Sequence, residues 1–315
     1  MQSSGYSTTL RLAVLAGGDS PERSVSLRSG AAVVEALSEA GHQPTLIDPA
    51  EQRLAQVDWS EFDACFIALH GGAGEDGRVQ RTLARLGVSF TGSGPEACRL
   101  AMSKCASKER FVEHHVPTLP WAMLDAQDLT ADLRARIARI GFPLVVKPDA
   151  QGSSLGVCVA RAAEELPGAI AAAAEFDSIV LVEPFVQGRE FTVAVLGERA
   201  LPMIEIVSPE PLFSYDAKYA SVQTEYRFDF ELPTRTRVEL LHAAVGACRA
   251  LGTRGLARVD LMVGNDAQVN VLEVNTVPGM TERSLAPLAA QRAGWPMARL
   301  CDDLVRECLF TAEVA

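Results

Sequence analysis

Two short stretches carry polar pairs at two-residue spacing inside otherwise apolar runs. Arg258-Val259-Asp260 lies within the run 256–263, and Glu273-Val274-Asn275 closes the run Val269–Asn275. Residues two apart in a strand share a face, so each stretch presents its pair on one side. A carboxylate buried in such a strand is costly unless something pairs with it. If the polar turn Gly264-Asn265-Asp266 makes the strands a hairpin, one surface carries Asp260, Glu273 and Asn275 with Arg258 beside them. Two carboxylates and an amide oxygen are hard donors of the kind Mg²⁺ takes, the rest of its shell coming from water and phosphate oxygens. The alternative is a salt-bridge cluster that satisfies one arginine.

A second constellation runs from Lys147 through Pro148-Asp149-Ala150-Gln151 to Gly152-Ser153-Ser154-Leu155-Gly156. A lysine ends an apolar strand and a loop of small residues follows. Glycines admit a close ligand, and successive N–H groups with hydroxyls can cradle phosphate. The spacing is not that of a Walker loop, and a plain Gly-Ser turn is the competing reading. A third stretch, 180–186, offers Glu183, Phe185 and Val186, with Glu190 just beyond. A strand passing into a linker with acids and backbone groups can hold an adenine and its ribose; Glu190 can equally be a solvated strand residue.

The elements that must position these residues alternate. Residues 10–16 read as a strand running into Gly17-Gly18, and a helix follows with Leu27, Ala31, Val34 and Leu37 on one face. Strand, glycine turn and helix open a βαβ layout. A second buried strand, 62–69, ends at His70-Gly71-Gly72; a helix over 77–86 follows, then one long helix over 95–114 and another over 129–140. Strands are expected at 142–147, 156–160 and 179–186, with a helix over 162–176. A hairpin follows around Gly197-Glu198, with strands at 191–196 and 200–207, and then a helix over 236–251. Two helices close the chain. Residues 212–232 show no period and are long for a plain connection, as lids are. The pattern divides into 1–97, an N-terminal α/β unit; 98–186, a central unit; and 187–315, a C-terminal unit that carries the candidate metal-binding strands and the long irregular segment.

The 315 residues suffice for several packed units, and 48% hydrophobic with 22% charged residues is ordinary for a globular chain. A net charge of −11 makes a poor nucleic-acid binder, since such binding rests on cations meeting phosphates. Seven cysteines without a Cys-x-x-Cys pair read as reduced, buried thiols of a cytoplasmic protein. No apolar run is long enough to span a membrane, and residues 1–9 lack the pattern of a secretory signal.

The ordered set of motifs resembles the ATP-grasp superfamily and, within it, the D-alanine–D-alanine ligases. Its pieces run over nearly the whole chain: Gly17-Gly18 with Glu22-Arg23 and Ser26; His70-Gly71-Gly72 with Glu75-Asp76; Phe90, Gly92 and Ser93; Lys147-Pro148; Gly152-Ser153-Ser154 and Gly156; Lys218-Tyr219; Arg258 and Asp260; and Glu273, Asn275, Gly279, Ser284 and Leu285. The resemblance implies an ATP-grasp fold: α/β, with a Rossmann-like N-terminal subdomain and two subdomains clasping ATP. It implies formation of an acyl phosphate on one D-alanine and its capture by the amine of a second, on the way to peptidoglycan precursors, in a homodimer.

The same resemblance distributes roles. Glu22 holds the first ammonium, with His70 near the same subsite. Lys104, Lys147 and Lys218 face the phosphates, with Ser154 in the phosphate loop. Glu183, Phe185, Val186 and Glu190 hold adenine and ribose. Asp260, Glu273 and Asn275 bind two Mg²⁺, with Mn²⁺ able to substitute. Arg258 and the Gly279 N–H meet the oxyanion, Ser284 and Leu285 take the second carboxylate, and Ser153 links Glu22 to Tyr219 across the lid. Each has a bland rival: a turn residue for His70, a helix N-terminal acid for Glu22, a solvated helical charge for Lys104, a packing ring for Tyr219. The chain departs from relatives in Phe185 for a common tryptophan, Pro184 for a polar or basic residue and Ser24 for a common acid, and Glu282-Arg283 fill a variable pair. The alternatives are a ligase making D-alanyl-D-lactate or D-alanyl-D-serine, a carboxylase or glutathione-type ligase of the same superfamily, or a nucleotide-binding regulator without catalysis.

Overall fold

The computed structural model describes residues 9–126, 135, 137, 139–208 and 224–312. The first strand, β1 (Arg11–Leu15), buries Leu12, Ala13, Val14 and Leu15 completely. Helix α1 (Arg23–Glu39) crosses over to β2 (Gln43–Ile47), and β3 (Ala64–Ile67) follows. They form a parallel sheet in the order β2-β1-β3, with Leu12 opposite both Pro44 and Ala64. Parallel neighbours require a crossover of this kind. Helix α2 (Arg78–Arg85) follows.

The single helix expected over 95–114 is two helices, α3 (Pro95–Met102) and α4 (Lys104–Glu113), broken at Ser103. Ser103 is extended, with φ −83° and ψ 112°. Its hydroxyl caps α4 by accepting from the Ala106 N–H at 3.1 Å, and it donates to Asp149 Oδ2 at 2.6 Å. Asp149 Oδ1 accepts the Cys105 N–H at 2.7 Å. A capping serine and a distant aspartate together outweigh a helical pattern that alone would continue. The break places Lys104 in the first turn of α4, against the loop after Lys147.

The second sheet is antiparallel, in the order β4-β7-β5-β6, from β4 (Ala122–Asp125), β5 (Leu144–Pro148), β6 (Cys158–Ala160) and β7 (Ile179–Pro184). Helix α5 (Leu166–Ala174) packs against it; Pro167 falls in its first turn, where a missing N–H costs nothing. The helix expected over 129–140 lies mostly outside the described residues.

The third sheet runs β11-β10-β8-β12-β13, with the short β9 also on β8. Its strands are β8 (Gly188–Leu196), β9 (Arg199–Ala200), β10 (Ile204–Val207), β11 (Glu225–Arg227), β12 (Leu256–Gly264) and β13 (Val269–Asn275). Helix α6 (Thr234–Leu251) covers it, and α7 (Leu285–Arg292) and α8 (Met297–Ala312) end the described chain.

Apolar cores extend across the boundaries expected near residues 97 and 186. Ala101, Phe111 and Val116, from α3, α4 and the segment after them, share a core with Leu240, Val259 and Val271 of the third unit. Leu300, Leu304 and Val305 of α8 share one with Leu12, Val14 and Val33 of the first. The apolar faces of these helices fit the sheets that chain order separates them from, and so tie the units together. Among the described residues no helix is long and apolar enough to cross a membrane.

Candidate active site

Strands β12 and β13 pair antiparallel, with Arg258 opposite Asn275 and Asp260 opposite Glu273. The register shifts between Asp260 and Leu261, a bulge of the kind that re-aims side chains beside a site. Arg258 grips Asp260 through Nε and Nη2, both at 2.9 Å, and Thr192 Oγ1 donates to Asp260 Oδ1 at 2.7 Å. Asn275 Oδ1 accepts the Val277 N–H at 2.8 Å. Asp260, Glu273 and Asn275 offer hard oxygens and fit a Mg²⁺–phosphate assembly by donor chemistry. The amide must count as the third donor, because among the described residues no three His, Cys, Asp or Glu side chains are gathered as a metal site.

These strands face a cleft of about 550 Å³. Residues far apart in the chain converge on it: Glu22, His70, Ser153, Arg258, Gly279, Ser284 and Leu285. A smaller cleft of about 140 Å³ adjoins it, lined by Lys147, Ser154, Glu183, Phe185, Val186, Glu190 and Asp260. Lys104 and Glu273 line both, and Asn275 lines the larger. Every described residue to which the resemblance gives a site role thus lines one cleft or the other. Lys218 and Tyr219 lie outside the described residues, as do 209–223 of the expected lid.

Glu22 occupies the N-cap of α1, and Ser153 Oγ donates to its Oε1 at 2.5 Å. Ser153 and Ser154 both have positive φ, 54° and 56°. Two adjacent non-glycine residues in that region are costly and are held there by their surroundings. A Cβ on Gly152 would lie 3.4 Å from Glu22 Oε1 and 4.0 Å from Glu75 Oε2, so two acids converge over this loop. Burial, reinforced by the charge of Glu22, pushes the Glu75 carboxyl up to about 8. Glu75 entered the sequence reading only as part of a motif; its place between glycines gives no sign of the buried acid pair.

His70, in the loop just after β3, is 3% exposed, and burial lowers its imidazole to about 4. Both ring nitrogens have partners, Val277 O at 3.1 Å and Ser29 Oγ at 2.8 Å, so His70 enters the cleft wall already engaged. Ser284 stands at the N-cap position of α7, but its Oγ accepts the Thr281 N–H at 3.1 Å and no N–H of the helix. A Cβ on Gly279 would come within 2.8 Å of that oxygen, so the chain turns tightly against it.

The smaller cleft holds a charge cluster whose third member the sequence did not reveal. Glu183 lies 2.6 Å from Lys147 Nζ and 2.8 Å from Lys108 Nζ. Lys108 is 0% exposed and also donates to Thr118 Oγ1 at 2.8 Å and Leu119 O at 3.2 Å. Burial alone would raise Glu183, but the two lysines hold it down at about 2. Its Oε2 is buried in charge contact with Lys108 Nζ at 2.8 Å. Lys104 Nζ donates to Gln151 O at 2.6 Å and so closes the loop's other side.

Lys108→Met should destabilise the fold by about 3 kcal/mol, the scale for breaking a buried ion pair. Equilibrium urea unfolding measures this; an unchanged midpoint would mean that Lys147 alone balances Glu183. Because Glu183 titrates lower folded than its ordinary 4.5, its contribution is present above that value and is lost as pH falls toward 2.

A family model described as the D-ala D-ala ligase C-terminus matches residues 111–306. The D-alanine–D-alanine ligase of Bordetella petrii is 44% identical over 301 residues, covering 94% of this chain and 91% of its own. The chain belongs to the D-alanine–D-alanine ligase family. The Pseudomonas putida ligase is 42% identical over 301 residues, with 96% and 94% covered. The crystal structure of the Bacillus anthracis ligase superposes with a TM-score of 0.87 at 33% identity, covering 97% of this chain and 99% of that one. A structure of the same bacterial ligase complexed with ATP gives 0.85 at 31% identity. The fold is therefore the ATP-grasp fold of these ligases.

Proposed function

We propose that the chain joins two D-alanines into D-alanyl-D-alanine at the expense of ATP, for peptidoglycan precursor synthesis. The observation that carries this reading is the pair of adjoining clefts, which share Lys104 and Glu273 and gather the ligase motifs from both ends of the chain. The smaller cleft takes the nucleotide, with Glu183 and the backbone of Val186 on adenine, Phe185 against its ring and Glu190 on the ribose. Lys104 and Lys147, with Ser154, meet the phosphates. The larger cleft takes the amino acids, the first ammonium on Glu22 and the second carboxylate on Ser284 and the Leu285 N–H. Asp260, Glu273 and Asn275 would hold two Mg²⁺, or Mn²⁺, which neutralise phosphate charge when bound.

A carboxylate oxygen of the first D-alanine attacks the terminal phosphorus of ATP, and the bond to ADP breaks. The second amine then attacks the acyl carbon, gives up a proton, and inorganic phosphate departs. Arg258 and the Gly279 N–H face the oxygen on which charge develops, the arrangement that lowers such barriers most. Lys218 and Tyr219 belong to the lid by resemblance, Tyr219 extending the Glu22–Ser153 contact. The three expected units, a homodimeric assembly and a cytoplasmic location complete the reading.

Phosphate release from ATP should depend on D-alanine, with little given by L-alanine, D-serine or D-lactate, and mass spectrometry should find the dipeptide. Robust D-alanyl-D-lactate synthesis at neutral pH with negligible dipeptide would overturn the substrate assignment. ATP binding without any turnover would favour a regulator.

A further inference from the structure

Helix α1 buries two serines, Ser26 and Ser29, both 0% exposed. Ser26 serves its own neighbourhood, accepting the Gly17 N–H at 2.8 Å and donating to Ala68 O at 2.7 Å. Ser29 instead reaches across 251 positions of chain to accept the Met280 N–H at 3.1 Å, and it contacts His70 Nε2 at 2.8 Å. A helical serine commonly bonds back to its own helix, as Ser38 does with Val34 O at 2.7 Å.

The protons can be placed by accounting. His70 Nδ1 faces the Val277 carbonyl at 3.1 Å, so it carries the hydrogen. In the neutral ring Nε2 is then an acceptor, and the Ser29 hydroxyl must donate to it. The Ser29 oxygen is left to accept from Met280. The result is a directed chain, Met280 N–H to Ser29 O–H to His70 Nε2, and His70 Nδ1–H to Val277 O. Both ends land on one short segment, and only Pro278 and Gly279 lie between them. Proline fixes its own φ, so the Gly279 N–H has little freedom once Val277 and Met280 are anchored.

We propose that Ser29 is a positioning residue for the ligation: with His70 it clamps the 277–280 segment and aims the Gly279 N–H at the reacting carbonyl. This rests on the ligase reading given above. The pair belongs to the N-terminal unit and the segment to the far end of the third sheet, so the clamp also joins the first-substrate wall to the oxyanion side. Misplacing a catalytic group by about 1 Å costs on the order of 10²-fold.

The test uses the full chain with Ser29→Ala, Ser29→Cys, His70→Ala and the Ser29→Ala/His70→Ala double variant, each assayed well below its melting temperature. The readouts are kcat/KM, ATP affinity by calorimetry, and inhibition by a phosphinate dipeptide that mimics the tetrahedral adduct. Ser29→Ala should lower kcat/KM roughly 10- to 100-fold and weaken the phosphinate in step, with ATP affinity unchanged. The double variant should be no worse than the poorer single one, because the two residues act as one relay. Ser29→Cys keeps the volume and weakens the hydrogen bonds, so it should show a smaller fall of the same kind. Undiminished phosphinate affinity in either folded Ser29 variant, ATP affinity falling together with turnover, or losses that multiply in the double variant would overturn the proposal. Wild-type protein without D-alanine-dependent phosphate release would sink the ligase reading itself, a separate outcome.

Discussion

Glu273→Gln is expected to remove most turnover, on the order of 10³-fold or more, while the protein stays folded. Glu273 lies opposite Asp260 across β12 and β13 and lines both clefts, at the border where nucleotide and amino acid would meet. Glutamine keeps the shape and one oxygen but loses the charge that a divalent cation and its phosphates require. Metal stabilisation of a phosphoryl transition state is worth several kcal/mol, and each 1.36 kcal/mol is tenfold in rate. A second consequence reads the charge itself: the Glu273 carboxylate helps to raise Glu75, so the variant should titrate Glu75 lower than the wild type. Rates across a Mg²⁺ titration, with nucleotide affinity measured at each concentration, check the first claim. Near-normal activity at limiting Mg²⁺ would remove Glu273 from the metal site.

The hairpin behind that prediction was legible because two short-range rules agree. Alternation set the shared face of Asp260, Glu273 and Asn275, and the Gly264-Asn265-Asp266 turn set the pairing. The bulge after Asp260 was not legible, since an extra residue leaves the apolar pattern intact. Strand β2 escaped notice because four of its five residues are exposed or half-buried, and one is Pro44. The break at Ser103 depends on Asp149, 46 residues away, which no local pattern contains. The same holds for the site. Motif order reached many of the residues lining both clefts, Glu75 among them, whereas the roles of Lys108 and Ser29, and the pairing of Glu75 with Glu22, depend on partners that only folding supplies. Lys108 looks like one more charge on a helix, yet it is fully buried against Glu183. Packing of α8 on the first sheet was equally hidden, because an amphipathic helix does not say which apolar face it will meet.

Arg258→Lys should lower turnover 10²- to 10³-fold, the usual cost of losing one oxyanion donor, and leave ATP affinity within a few-fold. Arg258 lines the larger cleft with Gly279, and its side chain is 16% exposed. Charge grows on the acyl oxygen only as the second amine attacks, so a donor aimed there acts mainly in the transition state. The structure also gives Arg258 a second task, since it grips both oxygens of Asp260 at 2.9 Å. A planar guanidinium with five N–H donors can hold a carboxylate along one edge and direct another edge elsewhere. An ammonium keeps the charge but has no second edge and a shorter reach. If Arg258 only neutralised Asp260, lysine would serve nearly as well. The defect would then lie in metal affinity, and excess Mg²⁺ would restore the rate. Turnover and nucleotide affinity followed together through a Mg²⁺ titration separate the two roles: a rate that stays low at saturating metal and nucleotide keeps Arg258 on the oxyanion, and rescue by metal confines it to Asp260.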